Sequence, residues 1–515
     1  MRWGWVVSVA ALAALGAWGQ PARAQQKRLP NLGSAGNIGP KPPVGSGGCS
    51  ISAPSCADVA PLIIRSALGK SPLAQDLSEL KEDGGRVTGS AGEERAVRQA
   101  VEAFRKIGVD EVHTETYTMP VRWSARPARL TVLGPKAFPV RLASAGWSPA
   151  TPGGGITAAV VDVGTGTEAD FSRVAGRALG ALLLVHTKIA ETRAERRLEQ
   201  EQQGRVLRLA VKAGARGVLW MEDQPHGIGS PLMASMTGQI GPLPEAVVAR
   251  PDALRLAQLL AGGKTVQARL VLANRVGGPC QAENVVAEIR GRENPNEFVM
   301  LAAPLDSWAQ GRGAGSAAIV IDAARAILAA GVRPLRSIWL VLFSGTKEGG
   351  MGSWAFAQAH RADLGNMDAA ILFGAGDGRV TGYELDGRPG LEKRLRKALA
   401  PAEQFGANRN TYGATMHGNG FDFLLEGVPT LVANRGTARA EAAHDNASGG
   451  GIVALKREEA LAALTAYGIA DLPERLGARQ TRTQVTDLLE RTGLEREMKD
   501  VGIWGLWERG KRGRR

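Results

Sequence analysis

Residues 298–344 read FVMLAAPLDSWAQGRGAGSAAIVIDAARAILAAGVRPLRSIWLVLFS, and their pattern decides the fold. Phe298 to Ala303 and Ser337 to Ser344 are short apolar runs without polar alternation. Each predicts a strand buried on both faces. Between them, Gly315 to Ala330 predicts a helix. Strand, helix, strand over this length is the unit that joins two parallel neighbours by a crossover.

Working outward, the same alternation runs from about Ala282 to Glu474. Val285 to Ile289, Ala369 to Phe373 and Thr430 to Ala433 predict further strands, and Ser353 to Leu364 and Leu391 to Ala400 predict helices. The expected fold class is therefore α/β, a mostly parallel mixed sheet with helices on both faces. Chemistry in such sheets gathers beyond the C-terminal strand ends. The turns after Ala303, Ser344 and Phe373 are the places to look. Upstream, Ala57 to Ala67, Pro72 to Lys81 and Gly92 to Ile107 predict helices, and Val112 to Met119 a strand. Between them and the main block, residues 125–272 change character. Short strands at Ala158 to Val163, Ala181 to Val185, Gly217 to Met221 and Ala268 to Leu272 alternate with helices at Glu191 to Ala213 and Asp252 to Leu260. This predicts a compact α/β insert.

The ends carry different signals. Arg2, the apolar run Val6 to Trp18 and Ala22-Arg23-Ala24 predict a cleaved signal peptide over residues 1–24, and so a secreted or periplasmic protein. Residues 25–48, rich in Gly and Pro, predict a flexible leader. Cys49 and Cys56 lie seven apart and suit a disulfide in an oxidising compartment, leaving Cys280 as a buried free thiol. No later stretch is long enough for a transmembrane span. The net charge is +13, or +11 once Arg2 and Arg23 leave with the signal. Residues 481–515 predict a C-terminal helix and a solvated basic tail suited to anionic surfaces. No zinc knuckle, recognition helix or aromatic-basic stripe points to nucleic acid.

The turns then show a resemblance. Asn284 to Gly291, Glu297 to Ala303 and Leu305-Asp306-Ser307-Trp308 resemble the entry to the zinc site of metallopeptidase family 28, in its carboxypeptidase Q-like branch. Phe343-Ser344-Gly345 with Gly349 to Ser353 resembles that family's second site loop. Gly85 to Ser90, Pro120 to Trp123, His417 to Asp422 and Gly427-Val428-Pro429 match further segments, and the likeness runs through nearly all of residues 76–470. The insert resembles a protease-associated domain, best at Val160 to Gly164 and Ala213 to Val218. The implied layout is a discontinuous peptidase-like domain over 49–124 and 273–480 around a protease-associated insert at 125–272.

The resemblance implies two zinc ions held by two His, a bridging Asp, a Glu and another Asp, with a second Glu as general base on metal-bound water. Read residue by residue, these positions have changed. The first His falls at Pro304, which has no donor. The bridging Asp falls beside Gly315, where an acidic pair is missing after Gly311-Arg312-Gly313-Ala314. Thr346 takes the general-base position and Lys347 a ligand position, where an ammonium repels a cation. The last Asp falls at Gly374 and the last His near Asn446. Asp306, whose family role is to orient the lost His, reads as a turn or cap residue. Glu348 reads as a solvated or capping residue, Asp377 as a turn residue, and His444 as a surface His.

Two readings of function stand against each other. One is an exported pseudo-peptidase with no cofactor, whose cleft, with Trp308, His417 and Asp422, binds a peptide or protein. The other is an active zinc exopeptidase with a rebuilt mononuclear site using Asp306, Glu348, Asp377 or His444. A third, a non-catalytic interaction module, would act through the insert and tail. His113, His186, His226 and His360 share no ligand spacing, and oligomeric state is not legible in the sequence.

Overall fold

The computed structural model describes residues 25–27, 59–80, 85–134, 137–189, 193–223, 228, 235–307, 314–374, 379–435 and 450–515. The expected signal peptide, the Cys49–Cys56 pairing, and Trp308, Arg312, Asp377, His444 and Asn446 lie outside the described residues.

The described strands form two eight-stranded sheets and one two-stranded ribbon. The first sheet runs in the order Gln25–Lys27, Glu111–Met119, Cys280–Ile289, Arg336–Phe343, Asn294–Pro304, Met367–Leu372, Thr430–Arg435 and Val380–Glu384. Only its centre is parallel. Asn294–Pro304 pairs parallel with both neighbours, and Met367–Leu372 with Thr430–Arg435. The flanking pairings are antiparallel, which narrows the expected mostly parallel sheet to a mixed one with a parallel middle. The physical reason is local: Cys280–Ile289 is too near Asn294–Pro304 in sequence for a helical crossover, so it reverses direction and pairs elsewhere. Gln25–Lys27, expected within a flexible leader, is instead an edge strand on Glu111–Met119.

Both faces of this sheet are covered. On one, the Ala-rich helix Ala314–Ala329 is buried on nearly every side, between the strands and the helices Ala60–Leu68, Leu73–Leu80, Ala91–Ile107 and Gly450–Ala470. Small alanines allow this close approach on all sides, which suits a helix with no polar face. Ser90 caps the start of Ala91–Ile107 and Gly108, in the left-handed region, ends it. On the other face, Phe343, Phe356 and Phe423 pack together under the helices Met351–Ala359 and Gly420–Leu425.

The second sheet lies wholly between Ala128 and Leu272 and has hydrophobic clusters of its own. Its middle, Ile156–Asp162, Leu182–Val185, Gly217–Met221 and Glu245–Val248, is parallel. Trp123 stacks on Trp147 at 5.5 Å beside Tyr117, Met119 and Cys280, joining this unit to the first. Cys280 is buried and free.

The C-terminal segment departs from expectation. Arg512 is 1% exposed and pairs with buried Asp422, Nε to Oδ1 at 2.8 Å and Nη2 to Oδ2 at 3.2 Å. It also donates to the carbonyls of Gly349 at 2.7 Å and Met236 at 3.3 Å. Trp507 is buried with Leu506, Ile503 and Met498. The tail is thus docked at Arg512, because a guanidinium can satisfy several acceptors at once in a fixed fork. Arg509, Lys511 and Arg515 remain exposed.

Candidate functional site

Three loops meet at the C-terminal ends of the parallel strands: 304–307, 344–350 and 373–374. Register aligns Pro304 with Phe343 and Ala302 with Leu372, so the loops leave the sheet side by side. Asn284, 1% exposed, holds the second loop at both ends. Its amide oxygen accepts from Ser344 N at 3.2 Å and its amide nitrogen donates to Gly352 O at 3.0 Å. Gly345 and Gly349 sit at φ +68° and +86°, and a Cβ there would lie 2.6 Å from the Tyr117 hydroxyl and 2.4 Å from the Met236 carbonyl.

Asp306 is 3% exposed and is neither a turn nor a helix cap. Its two oxygens accept from the backbone N–H groups of Thr346 at 3.1 Å and Lys347 at 3.3 Å. Thr346 Oγ1 accepts from the Asn419 amide at 3.0 Å. Asp306 therefore bonds the first loop to the second. Burial pushes its pKa up, and the Thr346 hydrogen bonds and the Lys347 charge oppose that rise.

Glu348 is likewise not solvated. It is 1% exposed and accepts from the Thr88 hydroxyl at 3.1 Å, and Thr88 accepts from Gly345 N at 3.1 Å. Arg86 completes this stitching: it exchanges backbone hydrogen bonds with Ser307, and its Nε donates to Leu305 O at 2.7 Å. Glu93 lies deeper, 2% exposed, with its pKa raised to about 7 by burial and by the nearby Asp306 charge. Burial, and after it the nearby Glu93, Glu348 and Asp306, hold the Tyr117 phenol well above the ordinary value. The residues Arg86, Thr88, Glu93, Asn284 and Asn419 were not singled out from sequence as site residues. Arg86 and Thr88 do stand in the Gly85 to Ser90 match, Asn284 in the Asn284 to Gly291 match and Asn419 in the His417 to Asp422 match.

At the third loop, Gly374 offers only its carbonyl, which accepts from the Ser316 hydroxyl at 3.1 Å and from Arg435 Nε at 3.3 Å. Arg435 also pairs with Glu458 at 2.6 Å. Gly315 packs toward Leu455. Asp422 is not a cleft residue: besides Arg512 it accepts from the Ser353 hydroxyl at 2.7 Å. His417 is half-buried, with its backbone N–H on the Thr415 hydroxyl.

Away from this site, His360 Nε2 lies 2.6 Å and His113 Nε2 3.4 Å from one oxygen of Glu115. The fold thus brings together two histidines that are unrelated by spacing. Glu115 is held below the ordinary carboxylate range by hydrogen bonds from His113 and His360 against the cost of burial, and His360 is raised by Glu115. This is a buried structural ion pair between a strand and the end of helix Met351–Ala359.

The described residues at the strand ends do not fit a zinc pair. Pro304, Gly315 and Gly374 have no side-chain donor, Lys347 is cationic, and Asp306 and Glu348 are engaged with protein donors. Among the described residues no three His, Cys, Asp or Glu side chains are placed to hold a metal ion. Nor is any described helix long and apolar enough to cross a membrane.

Comparison with known proteins gives a consistent placement. Residues 284–447 match Peptidase family M28. Carboxypeptidase Q of Homo sapiens is 28% identical over 388 residues, 73% of this chain and 80% of that protein. A peptidase M28 precursor from Shewanella amazonensis superposes with a TM-score of 0.72 at 24% identity, covering 82% of this chain and 99% of that one. A zinc aminopeptidase from Bacillus subtilis shares the fold at a TM-score of 0.57 and 17% identity, covering 78% of this chain and 94% of that one.

Proposed function

Since this chain is a carboxypeptidase Q-like homologue within peptidase family M28, with the exopeptidase scaffold of that kind, we propose that it has kept the scaffold and lost the hydrolytic site. The observation that carries this is the fate of Asp306. It belongs beside a metal-binding His, yet Pro304 replaces that His, and both carboxylate oxygens take N–H groups from Thr346 and Lys347. A general base must accept a proton from water, and the Thr346 hydroxyl at that position already accepts from the Asn419 amide. Two zinc ions would also need anionic ligands to offset their charge, where this chain sets Lys347 and uncharged residues.

The protein in this reading is exported by its N-terminal signal, residues 125–272 form a protease-associated insert, and the cleft binds a peptide without cleaving it. Fold alone does not carry activity, so the test is chemical. Purified protein is assayed for zinc content and for dipeptide and aminoacyl-substrate turnover with and without added zinc. Stoichiometric zinc with zinc-dependent turnover would sink the proposal in favour of a rebuilt metal site. N-terminal sequencing of the exported chain tests the signal, which predicts a start at Gln25.

A further inference from the structure

We propose that Arg361, Arg479 and Arg514, drawn together from three distant segments, form a binding site for a phosphate-class dianion. The site shares no residue with the strand-end loops, so it stands or falls independently of the inactive-scaffold reading.

Glu426 is the hub that gathers them. It follows directly on the helix Gly420–Leu425 and is 1% exposed. Arg361 Nε reaches its Oε1 at 3.2 Å and Arg479 Nη2 its Oε2 at 2.7 Å. Backbone acceptors close the ring. Arg361 Nη2 donates to Gly513 O at 3.1 Å, beside Arg514. Arg514 in turn donates from Nη1 to Gln480 O, beside Arg479, and its own backbone N–H meets Leu425 O at 3.0 Å, beside Glu426. Arg482, stacked at 4.1 Å over Trp507, holds the Arg514 carbonyl. The three guanidiniums are therefore fixed as a group.

The charges of the group do not balance. Among the described residues the three guanidiniums share the single carboxylate of Glu426, a local surplus of two positive charges. Burial lowers the Arg479 pKa, and the Arg514 and Arg361 charges lower it further against the pull of Glu426. Burial also pushes Glu426 up, so it offsets no more than one charge. Like charges held together repel, and an anion that joins them relieves the repulsion. Donors remain for it. Nη1 of Arg361 and of Arg479, and Nε and Nη2 of Arg514, have no partner among the described residues. The side chains of Arg361 and Arg479 are 25% and 17% exposed and Arg514 is half-buried, so the ring is open to solvent. Planar guanidinium forks match phosphate oxygens two at a time. A phosphate dianion supplies the two missing negative charges, whereas a carboxylate supplies one.

The test is calorimetric titration of the full chain at low ionic strength and about pH 8, where phosphate is mostly dianionic. Inorganic phosphate is the probe, and formate, a monoanion, is the comparison at equal ionic strength. Phosphate is expected to bind, and formate to bind at least about tenfold more weakly. Arg514→Gln should weaken phosphate by about tenfold or more, and Arg514→Lys should recover at least about threefold of that loss, because the charge returns. Lys264→Gln, which removes one exposed charge on the insert, should change it by less than about twofold. Phosphate should also raise the melting temperature of the parent and not that of Arg514→Gln. Sedimentation with phosphatidic acid vesicles but not with phosphatidylcholine vesicles would place the dianion on a lipid headgroup; phosphate binding without sedimentation would make it a soluble phosphate. Binding of neither phosphate nor phosphatidic acid vesicles, formate as tight as phosphate, or equal losses in Arg514→Gln and Lys264→Gln would each overturn the proposal. The phosphate and formate arms use the parent alone, so they remain decisive even if Arg514→Gln fails to fold.

Discussion

Replacing Arg512 by Met should be among the most damaging single changes available at the surface-distal end of this chain. Methionine keeps the length and apolar stem of the side chain but removes every donor. Asp422 is then left 1% exposed with only the Ser353 hydroxyl on its carboxylate. Breaking a buried ion pair from one side costs about 3–5 kcal/mol. The carbonyls of Gly349 and Met236 also lose a donor, at about 1 kcal/mol each. The guanidinium contacts with Trp354 at 4.8 Å and Phe421 at 5.4 Å are lost as well. Terms that share one side chain do not add fully, so we expect about 4 kcal/mol. Guanidinium chloride unfolding, followed by Trp fluorescence, measures it, with Trp354 and Trp507 as nearby reporters. The double variant Asp422→Asn with Arg512→Met should recover at least about 1 kcal/mol, because the stranded charge is gone. A loss below about 1 kcal/mol for Arg512→Met, or a double variant weaker than the single one, would show that the tail is not clamped as described.

Three further outcomes follow from the same structure. Glu93 titrates near 7 in the folded chain against 4.5 for the free side chain, so its stabilising contribution is full below about 4.5 and is lost as pH rises through 7. Glu93→Gln should therefore flatten the fall in stability between those values by about 2–3 kcal/mol, read from unfolding midpoints across pH; an unchanged pH profile would count against the buried carboxyl. Gly349→Ala should destabilise by about 2 kcal/mol or more, since φ +86° and the Met236 carbonyl 2.4 Å from the new Cβ both oppose it; a neutral variant would show that the insert does not press on this loop. Zinc at a hundredfold excess over a micromolar dissociation constant would raise stability by about 2.7 kcal/mol if a site existed; we expect no rise in the unfolding midpoint.

The alternation of apolar runs with helices was enough to predict the class of the fold, because strands buried on both faces leave an unbroken hydrophobic signature. The proposed loss of the zinc ligands rests on the residue types, since proline and glycine side chains carry no donor in any conformation. Other features were hidden. The antiparallel margins of the sheet depend on which strands find each other, and pairing partners lie far apart in sequence. Arg512 looked like one more cation in a basic tail, and only packing shows that it meets Asp422, 90 residues away. Glu348 looked like a solvated or capping residue and Asp306 like a turn or cap residue, because acidic side chains are seldom fully buried. Tertiary structure decided otherwise, by bringing Thr88, Thr346 and the backbone of the second loop to them as hydrogen-bond donors. Residue types could show which side chains at the strand ends carry metal-binding donors and which do not. Which groups closed over the remaining carboxylates was set by contacts between distant segments, and those exist only once the chain has folded.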